Sequence, residues 1–259
     1  MRTSGNRLTG LAATLVVLAL AGCNSSTSSS SSSTTQSATG VWAGTDSVTG
    51  DEVVGVINSG GQATFIRSDG VQFDGTVDVS GSTLAATVTG YTNFNQTFSD
   101  GSTYGIGTLD GTVSTGGSLS ASLTFTTNGN TSLTGTWSLS YESLSSNASS
   151  TATVAGNYTD IVTSAVLSIT SSGVMSEQNT NTGCVLNGSI STTDSSVNVY
   201  QVSYTLEDCS GSTYDVLNAV QFTGLAYLDT NASPTELIIA VAGANSTSQY
   251  AIVSNLNLD

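Results

Sequence analysis

Residues 118–141 read SLSASLTFTTNGNTSLTGTWSLSY, in which apolar residues alternate with Ser and Thr on both sides of a turn sequence. This period of two places apolar side chains on one face of a β-strand and hydroxyl side chains on the other. Asn128-Gly129 lies between the two alternating runs and is typical of a tight hairpin turn. The stretch therefore predicts an antiparallel hairpin with one buried face.

The same alternation extends back to Gly40, with short turns such as Gly60-Gly61 and Asp69-Gly70 between the runs. It predicts eight strands in the first half of the chain. These lie near 40–46, 52–58, 62–67, 71–79, 83–91, 103–115, 118–127 and 131–142. A longer loop is expected at 92–102, and no helical period appears after residue 22.

Four short motifs of the first half recur in the same order in the second, after a polar stretch at 143–150. The matches are Thr45-Asp46 with Thr159-Asp160, Ile57–Gly61 with Ile169–Gly173, Phe73-Asp74-Gly75 with Leu186-Asn187-Gly188, and Tyr91 with Tyr204. Their nearly constant spacing predicts a duplicated unit, with one domain over 40–143 and another over 151–259. Chance similarity between two segments rich in Ser, Thr and Gly is the alternative.

We therefore predict an all-β protein of two similar antiparallel up-and-down barrels, each with about eight strands. Closure into a barrel removes the exposed edges that such a long meander would otherwise have. Gly75 and Gly188 fall inside strands at matching places, where a glycine allows a barrel to bend. A pair of β-sandwiches would show the same alternation and is the main alternative.

The first unit begins Gly40-Val41-Trp42, and the second has Gly156-Asn157-Tyr158 at the corresponding place. A Gly-x-Trp motif on the first strand resembles the lipocalin and avidin barrels. The resemblance implies a barrel whose closed end is plugged by the aromatic ring. It does not imply a ligand, because the motif belongs to the core.

The N-terminus has Arg2 and Arg7, then a largely apolar run over 8–21, and ends in Leu20-Ala21-Gly22-Cys23. An apolar run of this length fits a signal peptide better than a membrane span. The last four residues resemble the lipobox of bacterial lipoproteins. The resemblance implies that residues 1–22 are removed and that Cys23 carries fatty acyl chains such as palmitate. In the enteric sorting rule, Asn24 favours the outer membrane.

Residues 23–39 contain the acylated cysteine and a run rich in Ser and Thr, which predicts a flexible linker. After residue 22 the chain keeps one basic residue, Arg67, against all 18 acidic residues. Binding to nucleic acid requires cationic side chains and is therefore not expected. The predicted membrane contact is made through the lipid anchor alone.

Cys184 and Cys209 are the other two cysteines of the chain. Because an exported chain meets oxidising conditions, an even pair predicts a disulfide. Cys184 opens one predicted strand and Cys209 follows the end of the next, at 197–206, so a hairpin would bring them together. Two free thiols are the alternative. A zinc site is disfavoured because the chain has no His.

The absence of His and Lys excludes most catalytic arrangements, including a Ser-His-Asp triad and a Schiff base. Paired carboxylates are what remains, and Asp69, Asp74 and Asp78 fall in one predicted hairpin arm. They could act as a glycosidase pair or bind calcium, but solvated turn residues explain them more simply. We expect no catalytic residue, metal or cofactor.

The first functional hypothesis is a non-enzymatic binding or interaction module anchored by lipid in the cell envelope, with an unknown protein or small-molecule partner. Phe94 and Phe98, in the loop at 92–102, are its candidate contact residues, unless both rings fold back as a barrel lid. A small-molecule carrier that uses a barrel interior is the second hypothesis. A structural envelope protein is the third, and a carboxylate-based glycan hydrolase is the fourth.

Overall fold

Sixteen antiparallel strands follow one another within residues 34–259, which are the residues that the computed structural model describes. The first eight strands are β1 (Gly40–Asp46), β2 (Glu52–Ile57), β3 (Gln62–Arg67), β4 (Val71–Ser80), β5 (Thr83–Thr92), β6 (Tyr104–Val113), β7 (Ser118–Thr127) and β8 (Ser132–Tyr141). The second eight are β9 (Gly156–Asp160), β10 (Val166–Ile169), β11 (Val174–Gln178), β12 (Val185–Thr192), β13 (Tyr200–Glu207), β14 (Gln221–Asp229), β15 (Glu236–Ala244) and β16 (Gln249–Leu258). Two short 3-10 helices occupy Ser143–Ser146 and Asp215–Leu217.

Each set of eight strands closes into a barrel of up-and-down topology. In the first barrel β1 pairs with both β2 and β8, and in the second β9 pairs with both β10 and β16. The prediction of two eight-stranded barrels is confirmed, and the sandwich alternative is wrong. Closure leaves no strand edge unpaired, which is why a sequence of short hairpins favours this architecture.

The interior of the first barrel is filled by aromatic rings on inward-facing strand positions. Phe65, Phe73 and Trp137 are fully or almost fully buried. The ring centroid of Trp137 lies 5.0 Å from that of Phe65 and 5.6 Å from that of Phe73. Phe125 packs edge-on against Phe73 at 5.5 Å. Each such ring contributes roughly 2–3 kcal/mol through burial of its apolar surface. Side chains therefore occupy the space that a ligand would need.

The turns show that the second barrel repeats the first. Gly61 and Gly173 follow β2 and β10 with φ of +82° and +84°, a backbone region that favours glycine. Their carbonyl oxygens accept hydrogen bonds from the amides of Val77 and Ile190, both at 2.8 Å. The motif match between 57–61 and 169–173 is therefore a structural equivalence.

The aromatic residue of the first strand has the same role in both barrels. Trp42 Nε1 donates to the carbonyl oxygen of Ala38 at 2.8 Å, and Tyr158 Oη donates to that of Val154 at 3.1 Å. Both acceptors lie four residues before the ring. The buried ring thus fixes the chain segment that enters each barrel, and its polar atom is satisfied.

The match of Tyr91 with Tyr204 is wrong. Tyr91 of β5 points out of the first barrel, whereas Tyr204 of β13 points into the second and belongs to its core. The strand register gives the reason. Gly75 pairs with Val88 and Gly188 pairs with Tyr204, so the residue of the first barrel that corresponds to Tyr204 is the buried Val88.

Gly75 and Gly188 lie inside β4 and β12, as predicted, and both occupy inward positions. A Cβ on Gly75 would overlap the Thr87 carbonyl oxygen, and a Cβ on Gly188 would overlap Tyr204 and the Ser203 carbonyl oxygen. The neighbouring strand approaches closely at both places. These glycines therefore allow the tight curvature of β4 and β12.

A third apolar cluster joins the two barrels. It consists of buried residues on their outer faces and on the connection: Val41, Val56, Leu144, Val199, Leu225, Tyr227 and Ile238. Gln201 Nε2 also donates to Gln62 Oε1 across the interface at 3.3 Å. The two barrels consequently form one compact unit over Thr34–Asp259.

The connection between the barrels and the described end of the predicted linker, residues 34–39, both contact the barrels. Within the predicted linker, the amide of Gln36 donates to the Gly81 carbonyl oxygen and Ala38 is buried. In the connection, the amide of Val41 donates to Ser145 Oγ at 2.8 Å, and the Ser145 carbonyl oxygen accepts from Asn198 at 3.0 Å. The connection is therefore bound to both barrels.

Candidate binding site at the mouth of the second barrel

Four loops frame one end of the second barrel, at 161–165, 179–184, 208–220 and 245–248. A disulfide between Cys184 and Cys209 ties two of these loops together, as the sequence predicts. The two cysteines are 25 residues apart in the chain, so the bridge restricts a long hairpin connection. Cys184 also lines the opening that the loops surround.

This end of the barrel opens into a cavity of about 300 Å³. The mouths of β-barrels are common sites for small molecules. The apolar part of the wall comes from inward-facing strand positions and from the 208–220 loop, and it includes Leu186, Tyr204, Leu206, Leu217 and Ile252. Polar and acidic side chains line the rest of the opening.

The cavity exists because one pair of residues differs between the two barrels. In the first, Phe65 and Phe73 are directly paired across β3 and β4. The corresponding pair across β11 and β12 is Glu177 and Leu186. The turn equivalence fixes this correspondence, since Phe65 follows Gly61 by the same four residues that separate Glu177 from Gly173. Two rings that plug the first barrel are thus replaced by smaller side chains in the second.

Glu177 brings a carboxyl group to this apolar wall. It lies on the same strand face as the buried Met175 and lines the cavity. Burial, together with the negative charge of Asp160, raises the pKa of Glu177, and the nearby Asn179 side chain partly opposes this. Burial also raises the pKa of Tyr204, and the Glu177 charge adds to that increase. Ionised Glu177 is therefore held at a cost in free energy.

Phe94 and Phe98, the two candidate contact residues, both lie in the loop that joins β5 to β6, and both rings are partly buried. Phe98 packs on Phe125 of the first barrel at 5.5 Å. Phe94 instead crosses to the second barrel, where its ring lies 5.8 Å from Tyr214 and 6.0 Å from Tyr250. Phe98 thus covers the end of the first barrel, and Phe94 borders the mouth of the second.

Backbone contacts hold Phe94 in this position. The Phe94 amide donates to the carbonyl oxygen of Ala251 in β16 at 2.9 Å. The side chain of the preceding residue, Asn93, accepts from the Val253 amide at 3.3 Å. The loop is therefore fixed to the second barrel by main-chain hydrogen bonds as well as by ring packing.

Exposed apolar side chains surround the opening. Val162, on the 161–165 loop, is 85% exposed and lines the cavity. Ile161 beside it and Val216 on the 208–220 loop are also exposed. Apolar residues gathered around a cavity, rather than scattered singly, are typical of a binding surface.

A second concave surface lies between the barrels and has a volume of about 370 Å³. Gln62, Asp74 and Tyr91 of the first barrel face Gln221 and Thr223 of the second across it. This groove is more polar than the barrel mouth. It places Asp74, one of the three acidic residues noted in the sequence, against the neighbouring barrel.

Asp74 is held by two neutral donors. Thr64 Oγ1 donates to its Oδ1 at 2.7 Å, and Gln72 Nε2 donates to its Oδ2 at 2.6 Å. Burial raises the pKa of Asp74 to about 6, although both hydrogen bonds act to lower it. The pKa of Tyr91 is raised as well, first by burial and then by the charge of Asp74.

The three acidic residues do not act as one group. Asp69 lies at the turn after β3 and pairs with Arg67, Asp74 faces the groove, and Asp78 is exposed further along β4. Within residues 34–259, no group of three or more Asp, Glu, Cys or His side chains is arranged to hold a metal ion.

Cys23 and the signal peptide predicted over 1–22 lie outside the described residues. Within the described part of the chain, no helix is long and apolar enough to cross a membrane. The chain matches no protein-family model, and a search of curated proteins finds no relative.

Proposed function

We propose that this chain is a lipid-anchored, non-enzymatic binding protein of the bacterial outer membrane that holds a small, largely apolar ligand in the mouth of its second barrel. The observation that carries the proposal is the replacement of the Phe65–Phe73 pair by Glu177 and Leu186. Aromatic rings fill the first barrel at this position, whereas the second barrel has a cavity there. The open copy also has an exposed apolar rim and the disulfide-tied loops.

The test uses the mature chain, residues 23–259, with Cys23→Ser so that no lipid or detergent is present. The neutral fluorophore N-phenyl-1-naphthylamine is titrated into the protein. We expect one saturable site per chain, with fluorescence enhanced in an apolar environment. Leu186→Phe should fill the mouth and weaken binding at least tenfold. Leu206→Phe, on the neighbouring strand, serves as a second filling variant in case the first fails to fold.

Ser189→Phe is the matched control, because Ser189 lies on the outer face of the same strand. It adds the same ring without entering the cavity and should leave binding unchanged. Equal binding by the wild type and both filling variants would place the fluorophore elsewhere and overturn the proposal.

The anchor is proposed from Cys23 and the residues before it. Several acyl chains on one residue give stable membrane attachment, since each buried methylene contributes ~0.8 kcal/mol. In cells, Cys23→Ser should move the protein from the membrane fraction to the soluble fraction. A variant that remains in the membrane fraction would contradict lipid anchoring. Protease treatment of intact cells then distinguishes the outer surface from the periplasm.

A second candidate function is an interaction module for a protein partner, favoured by the exposed Ile161, Val162 and Val216. Such a partner would cover the rim without filling the cavity. Val162→Ser should then weaken partner capture, whereas Leu186→Phe should not.

A further inference from the structure

Two carboxyl groups lie at the mouth of the second barrel. Glu177 projects into the cavity, and Asp160, at the end of β9, lines the same opening. Asp160 Oδ1 accepts the amide hydrogens of Val162 at 2.9 Å and Thr163 at 2.6 Å, which fixes the acid at the rim. The mouth thus places two carboxyl groups beside an apolar wall.

Within residues 34–259, Arg67 is the one Lys or Arg, and it does not line this cavity. It pairs with Asp69 and lies 3.9 Å from Asp46 and 3.7 Å from Asp51. Three carboxylates of the first barrel therefore already surround it. Hydrogen bonds from neutral donors only partly offset the cost of a buried carboxylate that has no cationic partner, so a ligand that supplies a cation would gain from both acids.

Aromatic rings border the same opening. Phe94 and Tyr214 come from loops, and Tyr204 and Tyr250 come from strands. Phe94, Tyr204 and Tyr214 line the cavity itself, and Tyr250 packs on Phe94. The face of an aromatic ring attracts an organic cation, most effectively where water is excluded.

Part of the remaining wall is aliphatic, because Leu186, Leu206 and Ile252 line the cavity. They offer a surface for a short alkyl or aryl group. The uncharged polar side chains of the lining include Asn179 and Thr182. An inorganic cation such as Ca²⁺ prefers a site with several carboxylates, and within residues 34–259 no group of three or more Asp, Glu, Cys or His side chains is arranged to hold one.

We infer that the ligand of the barrel mouth is an organic cation, a tertiary or quaternary ammonium compound with a short apolar tail. Its charged head lies near Glu177 and Asp160 beside the rings, and its tail packs on the leucine-lined wall. This inference rests on the proposed function, since it names the ligand class for the same site.

The test compares three compounds that share one tail: octyltrimethylammonium, octanol and octanoate. Each is titrated by calorimetry into the mature chain with Cys23→Ser. We expect octyltrimethylammonium to bind at least tenfold more tightly than octanol, and octanoate to bind most weakly. Glu177→Gln keeps the size of the side chain and removes its charge. It should reduce the preference for the ammonium compound at least fivefold while leaving octanol binding unchanged.

Glu207→Gln is the matched control, because Glu207 is an exposed acid at the end of β13, next to the 208–220 loop of the mouth. It removes one charge without entering the cavity and should keep the full preference. Calcium chloride, titrated alone, should give no saturable binding.

The outcomes separate the two proposals. If octanol binds as tightly as the ammonium compound, or if Glu177→Gln keeps the preference, the ligand class is wrong and the binding site stands. If the fluorophore and all three compounds fail to bind, both proposals are overturned. Loss of the preference in Glu207→Gln to the same extent as in Glu177→Gln would mean that net charge, not the cavity, selects the cation.

Discussion

Phe94 of the first barrel packs its ring 6.0 Å from that of Tyr250 in the second. The contact adds to the apolar cluster that joins the two barrels. It also places a side chain from one barrel at the mouth of the other. The stability of the mouth therefore depends on a loop of the neighbouring barrel.

Phe94→Ala and Phe98→Ala should destabilise different parts of the molecule. Each removes a partly buried ring, which costs about 1–2 kcal/mol. Hydrogen exchange measured by mass spectrometry should show faster exchange in β16 for Phe94→Ala. For Phe98→Ala, which loses its contact with Phe125, faster exchange should appear in the first barrel. The same exchange pattern in both variants would contradict this division of roles.

Asp74→Asn should remove a pH dependence of stability. The folded-state pKa of Asp74 is raised from 3.8 to about 6, so the unfolded chain ionises first as the pH rises. The folded state therefore loses stability between about pH 4 and pH 6, and the loss persists above that range. Because the groove admits water, we expect a loss of about 1–2 kcal/mol rather than the larger value implied by two pKa units.

Urea unfolding of the wild type and of Asp74→Asn at pH 4, 5, 6 and 7 tests this. The variant should be the more stable protein at pH 7, with little difference at pH 4. Asp78→Asn, an exposed acid on the same strand, is the control. If Asp74→Asn and Asp78→Asn show the same pH profile, burial in the groove does not explain the shifted pKa.

The strands of the first barrel could be predicted because local features decide them. In β7 the residues from Ser118 to Thr127 alternate strictly between exposed and buried, as the sequence alternates between hydroxyl and apolar side chains. Turn glycines then fix where each strand ends. A meander needs little more than these signals to define its topology.

The interface between the barrels was missed, although the sequence carried a signal for it. Residues 225–228 and 237–241 are uninterrupted apolar runs, unlike the alternating strands of the first half. Continuous runs are typical of strands that are buried on both faces. They lie in β14 and β15, whose outer faces meet the first barrel.

The barrel mouth was missed for a different reason. Glu177 becomes a candidate site residue only because it pairs with Leu186 at the position where the first barrel has two phenylalanine rings. An alignment of the halves at the Gly61–Gly173 turn would have placed Glu177 opposite Phe65. The cavity itself depends on three-dimensional packing, which the alternation of residues does not encode.

Gly188→Ala should be strongly destabilising. The new Cβ would overlap Tyr204 and the Ser203 carbonyl oxygen, so the two strands would have to separate. We expect a loss of at least about 2 kcal/mol, the range for overpacked sites. Gly60→Ala is the control, because the nearest atom to its Cβ would be the Asn58 side-chain oxygen at 3.3 Å. Similar thermal midpoints for the two variants would contradict close strand approach at Gly188.

Removing the disulfide should destabilise the chain and loosen the mouth. The bridge joins cysteines 25 residues apart, and on the chain-entropy model it contributes roughly 3–4 kcal/mol. Cys184→Ala with Cys209→Ala should therefore lower the urea midpoint, and reductant should lower that of the parent protein by a similar amount. All of these proteins also carry Cys23→Ser, so the double variant has no cysteine left. Reductant should therefore leave its urea midpoint unchanged, which makes it the internal control.

The disulfide should also affect ligand release. Because Cys184 lines the cavity, N-phenyl-1-naphthylamine should dissociate faster from the double variant. An unchanged dissociation rate alongside reduced stability would mean that the bridge supports the fold without shaping the mouth.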